Sequence, residues 1–338
     1  MILDACYFAG KWHYEGWQDL LKGNYDWYRV YEGKHWYDVG GSQVHTTKRN
    51  QRDAIKFLRE RPTNKPFLLT VAFFAPHAVD ASAEQYYPMP KSMSLYRNLT
   101  FQSPSDTFHK LPSFFNDENI GRRRWRMRFD THRKFEDSLK NYYRLISEVD
   151  AACERIFDEL EKQGLLDNTL LIFTTDNGYY HAEHGLADKW YPHEESIRVP
   201  LIVRDPRMPL SRKGSVRDDF VLNVDLAPMI LGTAGLVPPD TMQGRDFSDL
   251  YLAQNSLSWR NDFFYEHPMI QSSHAIPASS AIVNRDLKYI YWPDWNTEQL
   301  FDLQRDPQEG QDVISNPEYA NQLDELRSRH EVLRKAAE

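Results

Sequence analysis

The sequence predicts an α/β fold with a largely parallel sheet, followed by a small α+β subdomain of antiparallel strands. Three observations carry this expectation. Strand-like and helix-like segments alternate as far as Gly235. Phe67 to Phe74 (FLLTVAFF) is an almost continuous apolar, β-prone run, as expected of a strand covered on both faces. From Ser280 onward the pattern changes to short strands joined by turns.

Taken in order, Ala5 to Ala9 reads as a short buried strand opening onto a Gly10-Lys11-Trp12-His13 turn. Arg49 to Glu60 has helical spacing, with Ala54, Ile55 and Leu58 on one face, and Pro62 to Pro66 ends it. The strand Phe67 to Phe74 stops at Ala75-Pro76-His77. Residues 78–137 carry Pro88, Pro90, Pro104 and Pro112 and read as a long excursion with short helices, a length that usually serves function. In the clearest helix, Leu139, Tyr143, Ile146, Val149, Cys153, Ile156, Phe157 and Leu160 recur at helical spacing before Gly164. A strand from Leu170 to Thr174 then runs into Asp176-Asn177, and a further strand spans Leu201 to Val203. A helix from Asp225 to Ala234 follows. The tail predicts antiparallel strands at Ser280–Asn284, Lys288–Trp292 and Gln299–Leu303, and a closing helix from Pro317 to Lys335. The expected division is a main domain over 1–255 and a subdomain over 256–338.

A hydrophobic content of 41% marks a globular chain rather than a disordered one. The net charge of -8 argues against nucleic acid as a partner, while leaving room for an anion held by a few well-placed cations. Cys6 and Cys153 make neither a disulfide framework nor a metal-ligand spacing, and Cys153 falls on the apolar face of its helix. No apolar run is long enough to span a bilayer. The first residues carry no secretory signal, and the chain reads as starting within a folding unit.

In doubly wound sheets, ligands gather beyond the carboxyl ends of the strands. Three predicted strands end in polar groups of a suitable kind: Lys11 and His13, then His77, then Asp176 and Asn177. If those strands are parallel neighbours, all five groups share one rim. Asp176 and Asn177 offer oxygen donors of the type calcium and magnesium prefer, although Asp-Asn-Gly is equally the composition of a tight turn. Lys11 and His13 flank Trp12 and would face one way in an extended segment, so both could meet one anion; the alternative is a surface turn. Lys189 lies in the polar loop after the third strand, where an ammonium suits a tetrahedral oxyanion. His181, His184 and His193 raise zinc as an alternative, but their spacing matches no zinc helix signature. Arg122, Arg123, Arg124, Arg126 and Arg128 form a basic cluster: a solvated helix face, or a contact surface for a polyanionic glycan. Asn98-Leu99-Thr100 is a glycosylation sequon.

The segments GKWH (10–13), FFAPH (73–77), TTDNG (174–178), EHGLADKW (183–190), EESIRVPLIV (194–203), NVDLAPMIL (223–231) and LFDLQRDPQE (300–309) resemble, in order, the formylglycine-dependent sulfatases of the alkaline-phosphatase superfamily. The likeness is nearest to bacterial sulfatases of sulfated glycans. It implies an alkaline-phosphatase-like, mostly parallel sheet between helices, and a sulfated carbohydrate as substrate. Asp176 and Asn177 would be calcium ligands, and Lys11 and Lys189 would hold sulfate oxygens. His77, with Lys189, would protonate the leaving alcohol, and His13 would act on the formylglycine. The likeness also implies a periplasmic or extracellular location. One departure matters: the Cys-x-Pro/Ala-x-Arg motif that yields formylglycine, and the family's Asp-Asp pair, are both missing here. The expectation is a sulfatase domain lacking its first βα units and poorly soluble on its own, or a non-catalytic relative that binds sulfated glycans. A phosphoester hydrolase of the same superfamily is a third reading.

Overall fold

The computed structural model describes residues 6–12, 17–31, 33–80, 82, 84–253 and 258–338. The first half runs β1 (Cys6–Gly10), α1 (Trp17–Asn24), β2 (Trp27–Val30), β3 (Trp36–Val39), β4 (Ser42–His45), α2 (Thr46–Glu60), β5 (Leu68–Ala72), α3 (Ile120–Arg128) and α4 (His132–Lys162). Then follow β6 (Leu171–Thr174), β7 (Tyr180–His181), β8 (Ala187–Asp188), α5 (Glu194–Ile197), β9 (Leu201–Arg204), α6 (Leu226–Thr233) and α7 (Asp249–Leu252). The tail holds β10 (Asp262–His267), β11 (Ser279–Asn284), β12 (Leu287–Trp292), β13 (Thr297–Asp302) and α8 (Ala320–Ala337). The chain divides into two units, residues 1–102 with 131–169, and residues 103–130 with 170–338.

The first unit is built on a parallel sheet of order β2-β1-β5. Tyr7, Phe8 and Ala9 of its middle strand are all buried, as a strand covered on both faces requires. The Tyr7 ring stacks on Trp27 of β2 at 3.9 Å and on Phe57 of α2 at 4.7 Å. α2 buries Ala54 and Leu58 and ties to α4 through the Arg59 guanidinium, which donates to both oxygens of Glu159 (3.0 and 2.7 Å). α4 starts on a Thr131 side-chain cap and buries Phe135, Leu139, Leu145, Val149, Ala152, Ile156 and Leu160. Tyr143, Ile146 and Phe157 lie along one edge of that stripe and stay partly exposed. The helix closes where Leu165 N donates to Leu160 O at 2.9 Å, beside Gly164. Cys153 packs with Phe73 and Tyr142 against Ala75, Ala78 and Tyr86, and burial pushes its thiol up to about 11.

In the second unit, β10-β11-β12-β13 form an antiparallel sheet. Successive residues feed opposite faces. Ile282, Tyr289 and Leu300 pack with Leu323 and Leu326 of α8, whereas Ala281, Ile290 and Phe301 pack with Phe114, Phe115, Tyr180 and Tyr191. This is the antiparallel subdomain the tail predicts, with β10 as an added strand. Residues 262–267 (DFFYEH) lie upstream of the turns at Arg285-Asp286 and Pro293-Asp294 that mark out the other three. β2 and the β3–β4 hairpin were also unexpected, because each strand spans only four residues.

Of the three strands expected to share a rim, two are neighbours in one sheet. β1 and β5 are parallel neighbours, so their ends do lie side by side. β6 is in neither position: among the described residues it pairs antiparallel with β9 in a separate two-stranded sheet. The strand run Leu171–Thr174 has no hydrogen-bond partner in the β2-β1-β5 sheet, so sequence order alone could not place Asp176 and Asn177 on its rim.

Candidate active site

In the first unit, Lys11 follows β1 directly and its N–H donates to Ala72 O of β5 (3.0 Å). The preceding residue must be glycine. Gly10 has φ +146°, and a Cβ there would stand 1.9 Å from Ala72 O. The Lys11 ammonium lies 5.4 Å from the centre of the Phe74 ring, a cation–π distance. The His77 ring lies 5.3 Å from the same ring, and its backbone N–H donates to Phe74 O (2.9 Å). His77 Nδ1 is 2.6 Å from Ala78 O, which fits Nδ1 as the protonated nitrogen. Lys11 and His77 therefore both flank Phe74, at the ends of adjacent strands. His13 lies outside the described residues.

In the second unit, Asp176 and Asn177 leave β6 on a loop zipped to α5. Gly178 N donates to Ser196 O (2.8 Å) and Tyr179 N to Glu195 O (2.5 Å). A Cβ at Gly178 would stand 2.1 Å from Glu195 O, so only glycine permits this approach. Asn223 Nδ2 donates to the Asp176 backbone carbonyl (2.9 Å), and Asn177 Nδ2 to Gly178 O (2.7 Å). Among the described residues, no hydrogen-bond donor or cation meets the Asp176 carboxylate, and no donor meets the Asn177 amide oxygen. Those oxygens are of the type a hard divalent cation prefers, and because such a cation takes about six to eight ligands, two residues would supply only part of a set. Among the described residues no three His, Cys, Asp or Glu side chains gather as a metal cluster. His184 and His193 instead stack at 4.3 Å in the core, with His193 Nδ1 2.7 Å from Tyr180 OH.

Lys189 sits in a strained stretch. Ala182, His184, Asp188 and Trp190 all take positive φ (+84°, +55°, +71° and +89°), a conformation that costs non-glycine residues energy. The clamp that holds it comes from α3. Arg128, with no exposed side-chain surface, donates to Asp188 at 2.5 Å and to Tyr179 OH at 2.6 Å, and Arg124 also pairs with Asp188. Burial pushes Asp188 up, but the two guanidiniums outweigh it and hold the carboxyl below its usual range. Arg122 pairs with Asp106 at 2.7 Å and Arg126 with Asp117. Four of the five arginines in the cluster thus form ion pairs within the chain. The sequence hid this because each carboxylate partner lies between 9 and 64 residues away.

Asp176, Asn177 and Lys189 line one open groove of about 2250 Å³ in the second unit, with Arg198 and His267 also on its walls. The quoted motifs knit together around it. The Glu309 carboxylate accepts from Glu194 N (2.7 Å), buried Lys288 bridges Glu194 and Glu309 (2.9 and 2.8 Å), and Tyr265 OH donates to Trp190 O (2.8 Å).

Comparison with known proteins agrees. The family model described as Sulfatase matches residues 7–236, and one described as N-sulphoglucosamine sulphohydrolase, C-terminal, matches residues 182–336. An N-acetylglucosamine-6-O-sulfatase of Bacteroides thetaiotaomicron is 25% identical, over 94% of this chain and 68% of that protein. An arylsulfatase of Clostridium perfringens is 30% identical, over 84% of this chain and 56% of that protein. The chain thus spans about half to two thirds of these relatives' length. A solved structure of a protein in complex with its substrate D-glucosamine-2-N,6-O-disulfate shares the fold, with a TM-score of 0.83 at 22% identity, covering 98% of this chain and 79% of that one.

Proposed function

The chain belongs to the sulfatase family, and from that premise we propose that it serves the hydrolysis of sulfate esters on a sulfated glycan. The observation that carries the proposal is the open groove that Lys189, Asp176 and Asn177 line together. Asp176 and Asn177 would hold a calcium ion, whose chemistry is to offset charge on the ester oxygens. Lys189 would bind a sulfate oxygen, and Lys11 another. His77, its Nδ1 engaged by Ala78 O, would offer Nε2 to the leaving alcohol oxygen. His13 would assist on the formylglycine, as the family resemblance implies. A 6-sulfated N-acetylglucosamine is the first substrate to try, by likeness to the Bacteroides relative. A periplasmic or extracellular location follows the family resemblance; separately, no described helix is long and apolar enough to cross a membrane.

Formylglycine does not fit the cysteines present. Cys6 lies in β1 and is followed by Tyr7-Phe8-Ala9-Gly10, and Cys153 lies within α4 before Glu154-Arg155-Ile156-Phe157. Neither offers the Cys-x-Pro/Ala-x-Arg pattern. This favours a second reading, in which these 338 residues bind the sulfated glycan without turning it over. Sulfate release from N-acetylglucosamine 6-sulfate, followed by ion chromatography beside aryl sulfate and aryl phosphate, separates the readings. Sulfate release supports hydrolysis, binding without release supports the second reading, and faster phosphate release points to a phosphoester hydrolase. A chain that neither binds nor cleaves a sulfate ester refutes both sulfate readings.

A further inference from the structure

We propose that His267 is a further substrate-binding residue, taking a sugar hydroxyl of the ligand whose sulfate Lys189 holds; the inference rests on the reading of Lys189 as a sulfate-binding group. Nothing in the chain's sequence motifs singles this histidine out. Its position does. β10 ends in Tyr265-Glu266-His267, and residues i and i+2 of a strand project from the same face. Tyr265 OH donates to the carbonyl of Trp190, the residue next to Lys189, at 2.8 Å. That bond fixes the face of β10 on which His267 also lies. His267 and Lys189 line the same groove as Asp176 and Asn177, and the exposed Glu266 between Tyr265 and His267 lines it too.

The two side chains offer complementary chemistry. An ammonium only donates, which suits a sulfate oxygen, whereas a neutral imidazole both donates and accepts, which suits a hydroxyl. His267 is half-buried, with Nδ1 shielded from solvent and the ring in contact with the Pro268 backbone, so Nε2 is the nitrogen a ligand in the groove would meet. Burial, and then the charge of Lys189, lower the imidazole pKa against an opposing contact with the Pro268 backbone, so the ring is neutral near pH 7.

Isothermal titration of the 338-residue chain in calcium-containing buffer tests this, with N-acetylglucosamine 6-sulfate, inorganic sulfate and unsulfated N-acetylglucosamine as probes. His267→Ala is expected to weaken the sugar sulfate about three- to tenfold, the size of one net hydrogen bond, and to leave inorganic sulfate unchanged. His267→Gln, which keeps a donor and an acceptor, should retain most of the affinity, and this separates a ligand contact from a packing defect. Lys189→Ala should weaken both sulfated probes. Equal losses for sugar sulfate and inorganic sulfate in His267→Ala, or no loss, overturn the proposal while leaving the sulfate site intact. If the unaltered chain binds neither sulfated probe, the reading of Lys189 fails first and the role of His267 with it.

Discussion

At the scale of single residues, one glycine and one buried ion pair govern the segments that carry Lys11 and Lys189. Gly10 lets β1 run against the Ala72 carbonyl and release Lys11 at the strand end. Gly10→Ala is expected to cost more than about 2 kcal/mol, because both the positive φ and the carbonyl contact oppose a Cβ. A drop in the urea midpoint at constant slope would register it. The loop bearing Lys189 depends instead on Arg128, which has no exposed side-chain surface and faces Asp188. Arg128→Ala should cost about 3–5 kcal/mol, since it strips a buried carboxylate of its main partner. Arg124→Ala, at a pair 26% exposed on the arginine side, should cost no more than about 1 kcal/mol. Equal losses in the two variants would show that burial does not set the worth of these pairs.

At the scale of elements, the helix that looked like a charged surface is a bracket. α3 has helical length and five arginines, and its sequence alone fits a solvated face. Its partners Asp106, Asp117 and Asp188 come from other segments, so no local pattern reveals them. The strands show the same split. Apolar runs such as Leu68–Ala72 and the turns that separate β11, β12 and β13 are local signals, and they are legible. Pairing is a long-range property, so the placement of β6 beside β9 is not. That pair leaves Phe173 and Ile202 directly opposite each other, 40% and 62% exposed. Two large apolar side chains on an exposed two-stranded face favour association with another surface. Concentration-dependent light scattering is expected for the isolated chain, reduced by Ile202→Thr. Monodisperse behaviour at all concentrations would count against this.

At the scale of the whole molecule, buried histidines govern the response to acid. Burial lowers His35 to about 3, His45 to about 4 and His181 to about 4, all from an ordinary 6.5, and lowers His193 well below it. Between those values and 6.5 the unfolded chain binds protons that the folded chain refuses. Stability is therefore full above about pH 6.5 and drains as pH falls toward 4. Urea midpoints measured across that window should fall with pH, and His45→Gln should flatten the slope. A midpoint independent of pH from 7 to 4 would mean these rings are solvated.

The sequence by itself determined the local elements and the family, because apolar periodicity, turn residues and ordered motifs are written in short stretches of chain. It also singled out Lys11, His13, His77, Asp176 and Asn177 as strand-end candidates, and Lys189 in the loop after the third strand. Tertiary structure alone decided which strands pair, that the arginines of α3 clamp the Lys189 loop, and that His267 stands beside it. Those facts rest on contacts between residues up to about a hundred positions apart, and such contacts are fixed only when burial and hydrogen bonding are satisfied together.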